Sequence, residues 1–269
     1  MRSARVAAVL DREVRTVARS RALWGLGLGF ALVVVGLAWT GGAAGFVPVV
    51  LTLLTPLEVL VPALALAVGY RAVLGDAQRG ELDVLRTYPL ARRELVLGVF
   101  LGRGAAMLVA VVGPLLVVGA LAAAMGGAKS TVFATHGGAD SVWLYLRFVV
   151  LTGGFALVAL SVALVVSAAA RSLRGAIALG AAAAVALVVG LDLGIVAGLA
   201  GGVVPEGALP WLLSLSPNSA YRGLVLQTVV GAVGPTGVET APLFANVLGL
   251  ALWLAGALSL AGVTVWPDD

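Results

Sequence analysis

Six apolar runs organise the chain, over about residues 23–42, 47–69, 95–124, 142–168, 175–200 and 243–265. Each is long enough to cross a hydrocarbon core of about 30 Å, which takes about 20 helical residues. The second contains Pro48, Pro56 and Pro62, which predicts a kinked helix. Ahead of the first, Arg2, Arg5, Arg12, Arg15, Arg19 and Arg21 interrupt an otherwise apolar stretch. At helical pitch Arg5, Arg12, Arg15 and Arg19 fall on one side and Val6, Leu10, Val14 and Val17 on the other, which predicts an interfacial helix within residues 1–22. A basic start before an apolar run and the small residues at 41–45 also fits a signal peptide. The length of the basic region and the spans that follow favour an uncleaved first span.

Between the second and third runs the pattern changes. Residues 71–94 carry Arg71, Asp76, Arg79, Glu81, Asp83, Arg86, Arg92, Arg93 and Glu94, too many charges for lipid. As a helix this segment places Leu82 and Leu85, with Val84 beside them, on a small apolar ridge, and spaces Arg79, Asp83 and Arg86 four and three residues apart. Pro89 ends that helix after Thr87-Tyr88, and a second helical start at 91–94 runs into the third span. From composition alone this is a solvated connector between membrane helices.

The order of residues points further. The run G-D-A-Q-R-G-E-L-D-V-L-R-T-Y-P-L-A-R-R-E-L-V-L-G resembles the segment before the third span of ABC-2 type transporter permeases, where R-G-x-L-[E/D]-x-L is followed by Pro, Arg and Glu. The matching positions are Arg79, Gly80, Leu82, Asp83, Leu85, Pro89, Arg92 or Arg93, Glu94 and Gly98. Where family members often carry Gly-Lys, this chain has Gly98-Val99, with its basic residue at Arg103, so no role of a lysine there carries over. The resemblance implies an N-terminal elbow helix, a transmembrane domain over 23–269 and a coupling segment at 71–94. It also implies two copies of the subunit with separate ATPase subunits that carry ATP and Mg, this chain holding no cofactor. Asp76, Gln78, Arg79, Gly80, Glu81, Leu82, Asp83, Leu85 and Arg86 would meet the ATPase, the charged helix docking in its cleft. One branch similar in layout serves copper-site maturation of nitrous-oxide reductase.

Composition agrees with a membrane protein: 61% of residues are hydrophobic and 11% charged, against about 25% charged in soluble domains. There is no cysteine, hence no disulfide, thiolate metal site or cysteine nucleophile. The net charge of +4 does not point to nucleic acid, because the arginines flank apolar spans and suit the bilayer surface. With six spans, 14 of the 17 basic residues fall on one face and Lys129, Arg147 and Arg222 on the other. That asymmetry predicts a multi-pass protein of the cell membrane with its N-terminus in the cytoplasm. Both ends then lie on that side, the Asp268-Asp269 tail included.

Between the fifth and sixth spans, Ser216-Pro217-Asn218 reads as a helix start, and the apolar stretch to Val233 is too short to cross. A re-entrant or surface helix over about 217–233 is expected, a seventh crossing being the alternative.

Four ionisable residues fall inside spans: Glu58, Arg103, Arg147 and Asp192. A central charge costs about 2.5 to 3.5 kcal/mol on insertion scales, so each needs a partner, a cavity or the interface. Arg103 is expected to snorkel to the cytoplasmic surface. Glu58, Arg147 and Asp192 are expected in the outer third, with one carboxylate pairing Arg147, either as a structural bridge or as part of a path. Gly190, Gly194 and Gly198 form a small-residue ladder for intrachain packing or a homodimer contact, and Gly98, Gly102 and Ala106 repeat it in the third span.

Catalytic signatures are missing. Gly126-Gly127-Ala128-Lys129-Ser130 lacks the glycine before lysine that a phosphate-binding loop needs, and His136 is the only histidine. With Met1, Met107 and Met125 the remaining soft donors, the side chains are poor candidates to hold copper or zinc. The fold expected is an all-α membrane protein of six transmembrane helices, with an elbow helix, a coupling helix and the re-entrant or surface helix. The function expected is the permease of an ATP-binding cassette transporter, an exporter by resemblance. An intramembrane enzyme using Glu58 and Asp192, or a passive scaffold, are the alternatives.

Overall fold

The computed structural model describes residues 2–42, 45–88, 90–125, 140–203, 205–234 and 240–266. Pro89, Lys129, His136 and Asp268-Asp269 lie outside the described residues. Helix α1 (Arg2–Arg19) is followed by Ser20, whose hydroxyl accepts from the Leu23 amide at 3.4 Å and starts α2 (Arg21–Thr40). Next come α3 (Phe46–Gly69) and two short helices, α4 (Leu74–Gln78) and α5 (Glu81–Arg86). After them run α6 (Arg92–Met125) and α7 (Val142–Ala169). Helices α8 (Leu173–Val185) and α9 (Leu191–Ala200) are two parts of one rod joined by a π turn at 186–190. The chain closes with α10 (Leu209–Leu213), α11 (Pro217–Val225), which winds into a second π turn at 226–230, and α12 (Leu243–Thr264).

Six of these rods are long and apolar enough to cross a membrane, and the described residues contain no strand. At about 1.5 Å per residue, the 24 residues of α3 reach about 36 Å. The core lies where α3, α6 and α7 meet. Val50, Leu53, Leu57, Val61 and Ala65 of α3, Met107, Val111, Leu115 and Val118 of α6, and Phe148, Ala156, Leu160 and Ala163 of α7 are fully buried at helical spacing. Hydrocarbon is as apolar as leucine, so close packing and polar pairs decide which helices meet. Gly69 and Gly119 mark two such fits: a Cβ on either would lie 2.5 Å from Ala163 Cβ or from the Tyr145 ring. Helix α1 lies on α6 in the same way. A Cβ on Gly98 would lie 2.5 Å from Val9 Cβ, and one on Gly102 2.5 Å from Glu13 Cβ. The glycine pair of the third span thus receives the N-terminal helix.

Residues 209–234 form a helical hairpin that enters the bundle and leaves on the same side. Near its turn, Trp253 Nε1 donates to Leu215 O at 2.7 Å and Asn218 Nδ2 to Val188 O at 3.3 Å. Trp253 is ten residues into α12 and Val188 twelve short of the end of α9, about 15 and 18 Å along their helices. Further on, Arg147 Nη1 donates to Thr228 O at 2.6 Å, only five residues into α7. The turn therefore lies near the middle of these long helices, and α11 runs back toward the end of the bundle where α7 begins. Its helical run from 217 to 230 spans about 21 Å, short of a crossing. Ser216 caps α11 and Pro217 opens it, as the sequence predicts.

Candidate functional site

At the arginine-rich end of the bundle, the charged segment is two short helices rather than one. Gly80 adopts φ +70°, a conformation that glycine takes without strain, and breaks the helix between Arg79 and Glu81. Arg79 therefore does not share a helix with Asp83 and Arg86. It turns back, with Nη2 2.7 Å from Asp76 Oδ1 and Nε 2.6 Å from Glu81 Oε1.

Arg12 of α1 completes the knot. Its Nη2 lies 2.6 Å from Asp76 Oδ2 and 2.9 Å from Glu13 Oε1, and its Nη1 3.5 Å from Glu81 Oε2. Glu13 in turn receives Arg103 Nε at 3.0 Å, and Arg103 also donates to Val68 O. Arg5 approaches Glu94 at 3.6 Å, and Glu94 accepts from the Ala91 amide at 3.0 Å, tying down the start of α6. Arg12, Arg79 and Arg103 thus face Glu13, Asp76 and Glu81 across α1, the α4–α5 segment and α6, with Arg5 and Glu94 beside them. Glu13 and Asp76 are 2% and 4% exposed, which such a group tolerates only when paired. Arg103 is buried with Glu13 instead of reaching the surface, because α1 closes over it.

The charges act on one another. The hydrogen bond from Arg79, opposed by partial burial, and the fields of Arg79 and Arg12 hold the Glu81 carboxyl below its ordinary range. Burial works against the Arg12 charge, but Asp76 and Glu13 outweigh it and hold this guanidinium above its ordinary value. The hydrogen bond from Arg79 to Glu81 raises Arg79 as well. On the far side, Ser167 Oγ accepts from the Val73 and Leu74 amides at 2.9 and 3.1 Å, so α7 also fixes the start of α4.

Helix α5 is seated by Leu82, which is buried, and Leu85, which is half-buried. It presents Asp83, Val84, Arg86 and Tyr88 outward, with Gln78 exposed on the preceding turn. Val84 and Tyr88 are 58% and 62% exposed, so two large apolar side chains stand beside Asp83 and Arg86 at the exposed tip. Asp83 and Arg86 form no ion pair or hydrogen bond among the described residues.

The four intramembrane residues are arranged differently from expectation. Glu58 pairs with Arg222 of α11, Nε to Oε1 at 2.6 Å and Nη2 to Oε2 in a bidentate fork. Arg147 meets the Thr228 carbonyl and, among the described residues, no carboxylate. Twelve residues from Phe46, Glu58 sits halfway along α3 rather than in an outer third. Asp192 lies close enough for its charge to act on both members of the pair, and its Oδ1 is buried without a hydrogen-bond partner among the described residues. Tyr221, beside Arg222, shares a 2.8 Å hydrogen bond with Thr152 and stacks on Phe155 at 4.6 Å. Gly190 and Gly194 are exposed and Gly198 half-buried, and a Cβ on Gly194 would meet nothing within 4 Å. At Gly190 and Gly194 the ladder thus packs closely against no other described helix.

Sequence reasoning missed Arg12 and Glu13. The legible signal was Glu13 itself, a carboxylate seven residues after Val6 and three after Leu10 on the apolar side of α1.

The model of the ABC-2 family transporter protein matches residues 7–264, nearly the whole chain. The chain belongs to the ABC-2 transporter family. Two relatives carry the description "Probable ABC transporter permease protein NosY". The one from Pseudomonas aeruginosa is 35% identical over 271 aligned positions, covering 94% of each chain. The one from Stutzerimonas stutzeri is 32% identical over 269, covering 94% of this chain and 95% of that protein. The chain is thus a multi-pass ABC-2 transporter permease, and an ABC ATPase is the partner its family implies. The exposed tip of α5, and the knot residues Asp76, Arg79 and Glu81, lie in the segment before the third span, while Arg12 and Glu13 come from α1 and Arg103 from α6.

Proposed function

We propose that this permease couples a separate ATPase to an export step, with the α4–α5 segment as the coupling element and the N-terminus in the cytoplasm. The observation that carries the reading is the combination at residues 76–88. A tip of Asp83, Val84, Arg86 and Tyr88 is open to a partner, while Asp76, Arg79 and Glu81 behind it are tied to α1. Arg12 and Glu13 then carry the tie on to Arg103 in α6 and the end of α3. Closure of an ATPase against this tip displaces a body that is clamped to the spans, so force reaches them without first being lost in a loose loop. The arginine count favours the same face as cytoplasmic. Two copies of the chain would complete the membrane part, with ATP and Mg held by the ATPase. The likeness to relatives named NosY supports a place in the copper-maturation branch that the layout resembles.

The test is charge exchange at the tip. Asp83→Arg with Arg86→Asp leaves the knot intact, so the complex should assemble and hydrolyse ATP while transport or maturation output falls at least about tenfold, a loss of about 1.4 kcal/mol of coupling. Unchanged output per ATP hydrolysed rejects the reading.

A further inference from the structure

One cavity lies apart from both the paired charges of the knot and the intramembrane charges. It is an apolar groove of about 450 Å³ where α1, α2, α3 and α6 converge. Val17, Ala18 and Leu23 line its arginine-rich end, Gly27 and Ala31 its deeper wall, and Ala106 its floor. From Leu23 to Ala31 is eight residues, about 12 Å, so the groove covers most of the depth of one leaflet, half of a core of about 30 Å. It is open to the bilayer: Trp24, Leu28 and Val109 on its rim are each more than 60% exposed. Its volume lies within the range of small-molecule sites, about 300 to 1,000 Å³.

Charge at one end says what fills it. The hinge between α1 and α2 carries Arg19 and Arg21, directly between the lining residues Ala18 and Leu23. Both are exposed, and neither has a hydrogen bond or ion pair among the described residues, whereas nearby Arg15 is held by Asp11 at 2.8 Å. The hinge is rigid: Ser20 caps α2, and Trp24 Nε1 donates to Ala18 O at 3.0 Å. Two unneutralised guanidinium groups at the headgroup level, above a slot one leaflet deep, complement a lipid with an anionic head.

We propose that this groove is a binding site for one anionic phospholipid of the leaflet at the arginine-rich end, an acyl chain in the slot and the phosphate at Arg19 and Arg21. The lipid wedges α1 against α2 and so braces the helix that carries Arg12 and Glu13. The site stands apart from the charge-exchange test above, since neither arginine belongs to the knot.

The experiment titrates the detergent-purified, full-length protein with phosphatidylglycerol and with phosphatidylcholine of the same acyl chains, and counts retained lipids by native mass spectrometry. Phosphatidylglycerol should be retained about tenfold more tightly at one site. Arg19→Gln with Arg21→Gln should bring the ratio near one, and Ala106→Phe, which fills the floor, should weaken both lipids. Equal retention of the two lipids by the unmodified protein overturns the proposal and needs no variant to fold. A preference that survives the arginine changes, or binding untouched by Ala106→Phe, overturns it as well. So does a groove that sheds both lipids on self-association, which would mean a second copy covers it.

Discussion

Arg222 and Glu58 are the pair on which the deep part of the hairpin depends. Glu58 is 2% exposed, so removing its partner leaves a carboxylate in an apolar surround. Arg222→Ala should cost about 3 kcal/mol, the low end of the range for breaking a buried pair because Arg222 is half-exposed. Arg147→Ala loses only a bond to the Thr228 carbonyl and should cost about 1.5 kcal/mol. Denaturant unfolding in micelles reads both, and Glu58→Gln should recover part of the Arg222→Ala loss but nothing of the Arg147→Ala loss. The opposite order would contradict the pairing. The sequence displayed all the charged residues but not this match, because Glu58 and Arg222 stand 164 positions apart and no local spacing joins them. Arg147 drew the expectation because counting inward from the basic flanks puts it in the same outer third as Glu58 and Asp192, whereas Arg103 counts to the other face.

Glu81 supplies a pH dependence at the same scale. Its folded-state value is depressed, so its contribution is fully present above the ordinary carboxylate value of about 4.3 and is lost as pH falls through the lower folded value. The difference in hydrogen exchange of α5 between the wild type and Glu81→Gln should therefore shrink below about pH 4. Glu81→Gln should exchange faster at neutral pH and lose that part of the acid response. A wild-type profile that matches the variant at every pH would remove Glu81 from the knot.

Helix by helix, the six long apolar helices were legible as apolar runs, because about 20 consecutive apolar residues have one use in a bilayer. The break at Gly80 was less legible. Leu82, Leu85 and the charges around them keep helical spacing across it, and only the positive φ reveals that Arg79 turns back. The seating of α1 was half legible: its amphipathic pattern was plain, but Gly98 and Gly102 looked like a helix-packing ladder with no stated partner. Since a Cβ at Gly102 would meet Glu13 at 2.5 Å, Gly102→Leu should lift α1 and break the Glu13–Arg103 bond. Trypsin should then cut at Arg12 and Arg15 at least about tenfold faster, the response to about 1.4 kcal/mol of lost local stability. Gly113→Leu on the same helix meets nothing within 4 Å and should leave the rate alone. Equal rates in the two variants would mean that α1 is not held by this contact.

For the molecule as a whole, the six-span membrane layout was legible from composition and run length. The depth of the hairpin was not, since fourteen residues that do not cross can lie on a surface or dip inward, and only contacts with α3, α12 and the π turn at 186–190 distinguish the two. The exposed face of α8 and α9, with Gly190 and Gly194 on it, is where a second copy would add packing. The central claim concerns neither face. It is that the tip of α5 touches the ATPase. The chain has no cysteine, so Val84→Cys provides a single attachment point at the exposed apex. Cross-linking this variant to its co-expressed ATPase in membranes tests the claim most directly. A covalent adduct whose yield changes between the ATP-bound and nucleotide-free states is the predicted result. No adduct from a folded, ATPase-associated complex in either state would contradict the account.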